Sequence, residues 1–174
     1  MARVRYLDRD EIAPEVQALL GHRPPLNLYR ALPHSPPSAV GFLTLGSALR
    51  RESELSPKLR ELVTLRVGVI SKAAYEVTQH RRVARSVGMT AEEIAAATRE
   101  GPEDCLTEFE RLTLRFTEAV VHEVKAPELL YRAVAAELSE RQMVELLMLI
   151  GFYMLVCRFL ENAEVDLEDP PIPG

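Results

Sequence analysis

Tryptophan is absent from this 174-residue sequence, glycine occurs only 8 times, and aromatic residues make up 6%. No stretch alternates with the period of two of a strand, and no low-complexity run or clean repeat is present. Cysteine is nearly absent too. Cys105 and Cys157 stand far apart and form no CxxC, which reads as two reduced thiols in a cytoplasmic protein. The formal charge of −5 is mild and spread out, and no Lys/Arg block marks a nucleic-acid partner or an acidic membrane surface. The opening MARVRYLDRDEIAPE has no apolar core for export. The longest apolar run, residues 143–156, is interrupted by Glu145 and Gly151, so it reads as a buried core helix and not a membrane span.

What is present favours helix: Ala, Leu, Val, Glu and Arg dominate. The length predicts one domain with a real core, residues 1–174, divided into an N-terminal wrap-around arm (1–35) and a helical core (36–168). Pro14 starts a short helix that Gly21 stops. The segment RPPLNLYRALPHSPP, with five prolines in fifteen residues, excludes one long helix but leaves room for a turn or two over 26–32. Ser35-Pro36 and Ser56-Pro57 are helix-start signals. Gly88 suits the end of a helix that begins near Ala73. Thr90 with Glu93, Thr107 with Glu110 and Ser139 with Gln142 are capping boxes. The last helix runs from there to about Val165, and the tail DLEDPPIPG cannot continue it. The class is all-α, with about eight helices and a central helical hairpin over residues 56–88.

That hairpin carries the one ionisable cluster whose spacing suggests chemistry. Glu76 and His80 are four apart and share a helix face with Ala73, while Glu61 lies on the preceding helix. A tight antiparallel turn brings Glu61 alongside, so one imidazole sits between two carboxylates, an arrangement suited to proton transfer near neutral pH. The bland alternative is an ordinary exposed Glu–His helix pair. Metal binding is not expected, because the spacing is Glu-x-x-x-His and occurs once, whereas di-metal bundles repeat Glu-x-x-His. The terminal helix is apolar nearly all round, with Tyr153 and Arg158 as polar tips, and reads as buried in the core or between subunits.

The run LRELVTLRVGVISKAAYEVTQHRRVARSVGMTAEEIAA resembles the signature of the carboxymuconolactone decarboxylase family, within the alkylhydroperoxidase D-like superfamily. The matching features are R-E-L-V-x-L-R-V, Tyr75-Glu76-x-x-x-His80 and A-x-x-x-G-M-T-x-E-E-I; the closing helix and the RALPHSP arm are similar too. The resemblance implies the alkylhydroperoxidase D-like helical fold and a homo-oligomer, a trimer or hexamer, with a dimer as the smaller alternative. In the redox branch a Glu is followed by Cys-x-x-Cys and then His. Here Glu61 and His80 match, but the cysteine positions hold Ala73 and Glu76. A dithiol peroxidase cycle has no thiolate to start it.

The resemblance therefore implies a cofactor-independent lyase or proton-transfer enzyme on a small carboxylated or lactone-type substrate. The family's named reaction converts 4-carboxymuconolactone to 3-oxoadipate enol-lactone and CO2. His80 is the expected acid, Glu61 its orienting partner, and Glu76 a tuning group or second base. Tyr75, Arg66 and Arg158 are candidates to bind the substrate carboxylate. Two other classes stand beside this reading: a peroxiredoxin-like redox protein, disfavoured by the missing CxxC, and a non-catalytic binding or assembly module.

Overall fold

The computed structural model describes residues 2–24 and 26–168; Met1, Pro25 and the last six residues of the proline-rich tail, 169–174, lie outside. Among the described residues there are nine α-helices, two 3₁₀ turns and no strand, so the chain is all-α as its composition predicts. The helix beyond the expected eight is a five-residue piece in the proline-rich segment, where the sequence predicts only a turn or two. The chain forms two compact units, one from residues 2–52 with 159–168 and one from 53–158.

In the first unit, α1 (Pro14–Leu20) starts on Pro14 and ends at Gly21, whose φ of 56° is one a side chain resists. α2 (Asn27–Ala31) leads through a 3₁₀ turn into α3 (Pro36–Arg51), which packs on α1 and buries Ala39, Leu43, Gly46 and Leu49. Ser35 precedes α3 as expected, but its hydroxyl bonds the Ser38 hydroxyl at 2.8 Å and not a backbone N–H. The arm is tied down at both ends. Arg3 N donates to the Ala163 carbonyl at 2.8 Å, and Leu7 N donates to that of Arg30 at 2.9 Å. Asp166 N donates to the Tyr6 hydroxyl at 2.8 Å.

The second unit is built around α4 (Pro57–Ile70). Leu59 and every residue from 61 to 68 are buried, so this helix is covered on all sides, by α5 (Ala74–Ser86), α6 (Ala91–Ala97) and α7 (Glu108–Glu123) among others. Ser56 caps α4 by accepting from Leu59 N at 3.2 Å, with Pro57 in the first turn. The capping boxes form as the sequence predicts. Thr90 and Glu93 exchange bonds of 3.2 and 2.9 Å, and Thr107 and Glu110 bonds of 3.2 and 2.8 Å. Lys58 then bridges the two boxes, 2.6 Å from Glu93 and 2.8 Å from Glu110, and so ties the starts of α6 and α7 to α4.

α8 (Glu128–Ala135) packs on α7. The last helix, α9 (Glu140–Ala163), is 24 residues long, and its start is the third box, Ser139 with Gln142, at 3.1 and 2.9 Å. Among the described residues α9 is the one helix long and apolar enough to cross a membrane, but half of its apolar stretch is buried in the protein. Glu145, one of the two breaks in that stretch, is held by the Ser53 hydroxyl and by Glu54 N, each at 2.8 Å. That is how a core helix uses a polar residue.

Candidate active site in the helical hairpin

The hairpin is closed by a three-residue turn. Ser71 ends α4, Lys72 takes the left-handed conformation at φ 56°, and Ala73 N donates back to the Gly68 carbonyl at 2.9 Å. Close to the hairpin end, Gly68 lets the helices approach: a Cβ there would lie 3.0 Å from Val77 Cγ2 and 3.9 Å from Glu76 Cβ. Glu61 lies seven residues before Gly68, on the same face of α4, and so faces α5. Glu76 and His80 face it from one side of α5.

The result is a chain of three side chains with His80 in the middle. His80 Nδ1 lies 2.7 Å from Glu61 Oε2, and His80 Nε2 lies 3.0 Å from Glu76 Oε1. All three residues are buried, none more than 8% exposed. Both ring nitrogens face carboxylate oxygens, Nδ1 in a hydrogen bond and Nε2 at ion-pair distance, a setting that favours the imidazolium. Burial is the largest single influence on His80 and disfavours that charge. Against it stand Tyr153, Glu61 and Glu76, with Glu61 also accepting a hydrogen bond, and together they hold the imidazole pKa well above its ordinary value.

Tyr153 completes the site from α9. Its ring meets the imidazole edge-on, with centroids 5.0 Å apart and planes at 85°, and is itself braced by Phe152 at 5.4 Å. Sequence reasoning singles out Tyr153 only as a polar tip on an apolar helix. The contact joins positions 73 residues apart, and helical spacing carries no trace of it. A second side chain without a sequence signal is Thr64, on the α4 face three residues after Glu61. Its hydroxyl is buried and has no hydrogen-bond partner among the described residues.

The other expected site residues, Tyr75, Arg66 and Arg158, sit in three different settings. Tyr75 is buried on α5 beside Glu76. Arg158 is exposed on α9, its Nη1 donating to the Met154 carbonyl at 2.9 Å. Arg66 is buried, but its guanidinium serves the fold. Nε donates to the Ala97 carbonyl at 2.9 Å, Nη2 to the Ala96 carbonyl at 2.8 Å and to Glu103 at 2.7 Å, and Nη1 to Glu118. It thus satisfies the carbonyls at the end of α6 and pins α6 and α7 to α4. Among the described residues no group of three His, Cys, Asp or Glu side chains is set to hold a metal ion. Cys105 is exposed and Cys157 buried, and neither forms a disulfide.

Comparison with known proteins bears on the family and the fold. Residues 36–119 match the Carboxymuconolactone decarboxylase family. No curated protein matches the chain. An AhpD-core, peroxidase-related protein from Ralstonia eutropha JMP134 superposes with a TM-score of 0.85 at 15% identity, covering 97% of this chain and 93% of that one. The debrominase Bmp8 in complex with 2,3,4-tribromopyrrole gives 0.78 at 20% identity, over 95% and 91% of the two chains. A peroxidase-related protein from Silicibacter sp. TM1040 gives 0.71 at 18%, over 81% and 75%. At these identities the likeness is one of fold, and the fold is the AhpD-like helical one.

Proposed function

We propose, from the premise that the chain belongs to the carboxymuconolactone decarboxylase family, that it is a cofactor-independent, decarboxylase-like lyase acting on a small carboxylated or lactone-type substrate. The structural neighbours include a debrominase and peroxidase-related proteins, so the fold alone selects no chemistry and the reading rests on the site. The observation that carries it is His80, buried between two carboxylates, hydrogen-bonded to Glu61 through Nδ1 and 3.0 Å from Glu76 at Nε2, with its pKa raised. Such an imidazolium is a proton donor held ready near neutral pH.

In this reading the bond between the ring carbon and the substrate carboxylate breaks and CO2 leaves. The electron pair passes into the unsaturated lactone as a dienolate. The imidazolium delivers its Nε2 proton to carbon and keeps the N–H electron pair, and solvent later restores the proton. Nδ1 stays on Glu61, the shorter bond, which fixes the ring. Nε2 is the nitrogen to be released, because its contact with Glu76 is the longer and is an ion pair without a hydrogen bond. Burial strengthens every charge interaction on the dienolate. The cytoplasm remains the expected location, and two free thiols fit it.

The test is release of CO2 from 4-carboxymuconolactone by the wild type, His80→Ala and His80→Gln, with circular dichroism to check folding. Turnover by the wild type and its loss, by about a hundred-fold or more, in both folded variants is expected. Undiminished turnover in folded His80→Ala, or a wild type inert towards this and other carboxylated lactones, overturns the proposal. A redox protein would instead consume peroxide in a manner abolished by Cys105→Ser with Cys157→Ser.

A further inference from the structure

The outer side of α5 carries a feature that the proton-transfer reading leaves unused. At the hairpin turn a cleft of about 560 Å³ opens between α5, the end of α4 and the segment after α6. Glu61, Glu76 and His80 do not line it. Its apolar floor includes Gly68, Val69, Ala73 and Val77, and around the floor stand four cations, Lys72, Arg81, Arg82 and Arg85. The chain as a whole has a formal charge of −5, so this concentration reverses the sign of the molecule locally. One carboxylate, Glu100, belongs to the cleft, and it is already paired with Arg81, whose Nη2 also lies 3.4 Å from the Thr98 hydroxyl. Among the described residues no carboxylate forms an ion pair with Lys72, Arg82 or Arg85.

This placement works against the stability of the bare protein. Arg81 and Arg85 are four apart on α5, and Arg82 and Arg85 three apart, so like charges face one another along the helix. Lys72 holds a left-handed backbone at φ 56°, where glycine would be relaxed. The volume suits a small molecule, and the mixture of apolar floor and convergent cations suits an organic one.

We infer that the cleft between the hairpin turn and the outer face of α5 is a binding site for a small polyanion, an organic molecule with two or more carboxylate or phosphate groups. Arg81, anchored by Glu100 and Thr98, is the preorganised contact. Lys72, Arg82 and Arg85 supply the charge that an anionic ligand neutralises. This site is separate from the His80 cluster and does not depend on the reaction proposed there.

Isothermal titration calorimetry on the full chain tests it, with trimesate (a benzene tricarboxylate) and inorganic pyrophosphate as probes at low ionic strength. Saturable binding of at least one, with Kd below about 1 mM, is expected, weakening as salt is added. Binding of trimesate alone assigns the site to polycarboxylates, and of pyrophosphate alone to phosphates; either supports the proposal. Arg82→Glu with Arg85→Glu should weaken binding about ten-fold or more. Lys72→Gly should also weaken it while leaving the melting temperature equal or higher, which separates loss of a ligand contact from loss of fold. No saturable binding of either probe, or affinities unchanged in these variants, overturns the inference.

Discussion

His80 holds a charge that its burial alone would remove, and the two carboxylates that keep it make the fold sensitive to pH. Its unfolded pKa is about 6.5 and its folded pKa lies well above that. A group raised on folding adds stability that is fully present below the unfolded value and is lost as the pH climbs through the folded one. The depressed carboxylates Glu110, Glu118 and Glu145 titrate acid of this window and leave it clear. Urea unfolding of the wild type should therefore give a free energy that falls as the pH climbs above about 6.5. His80→Gln should flatten that profile over the same range; parallel profiles would show that the imidazole is not linked to folding. Arg66 marks what a single residue in the sequence does not tell. It sits in the family-like run, and a carboxylate-binding role is a natural expectation. Its partners Ala96, Ala97, Glu103 and Glu118 lie 30 to 52 residues away, and only the fold shows that its donors are spent on them.

At the scale of elements, what is closed within one turn of chain is legible. The three capping boxes each bond within four residues, so the residue types at Thr90, Thr107 and Ser139 are enough to announce their helices. The shared face of Glu76 and His80 follows from helical spacing in the same way. The cationic cleft does not, because Lys72 lies on the turn and joins the α5 arginines only through the way the hairpin closes. The approach of α4 to α5 is likewise a tertiary fact, and Gly68 is its most exposed point of failure. Val77 is β-branched and stiff, so it cannot easily give way to a new side chain 3.0 Å from its methyl group. Gly68→Val should destabilise the protein by about 1–3 kcal/mol despite the helix-propensity gain over glycine. It should also push α5 away from Glu61 and lower the pKa of His80, followed by the NMR titration of its imidazole. An unchanged melting temperature together with an unchanged titration would mean that the hairpin is looser than its geometry indicates.

For the whole molecule, the open question is what meets the outer face of α9. Val144, Met148 and Leu155 are 61%, 46% and 54% exposed, and Leu147 beside them is 38% exposed. With Gly151 they fall at intervals of four, three and four residues, the repeat of a helix seam and not of scattered surface. A Cβ on Gly151 would meet nothing within 4 Å, so the glycine leaves an open notch in the middle of the stripe where another helix could approach closely. The carboxymuconolactone decarboxylase resemblance leads us to expect a homo-oligomer, and this stripe is the surface we propose for it, with a second copy of the chain as occupant. Sealing two such side chains in an interface contributes about 3 kcal/mol or more, so Val144→Glu with Leu155→Glu should weaken association about a hundred-fold or more. Size-exclusion chromatography with light scattering should then give a multiple of the chain mass for the wild type and the mass of one chain for the double variant, with helical circular dichroism preserved in both. A wild type that runs as a single chain removes the proposal, and a double variant that keeps the assembled mass moves the interface to another face.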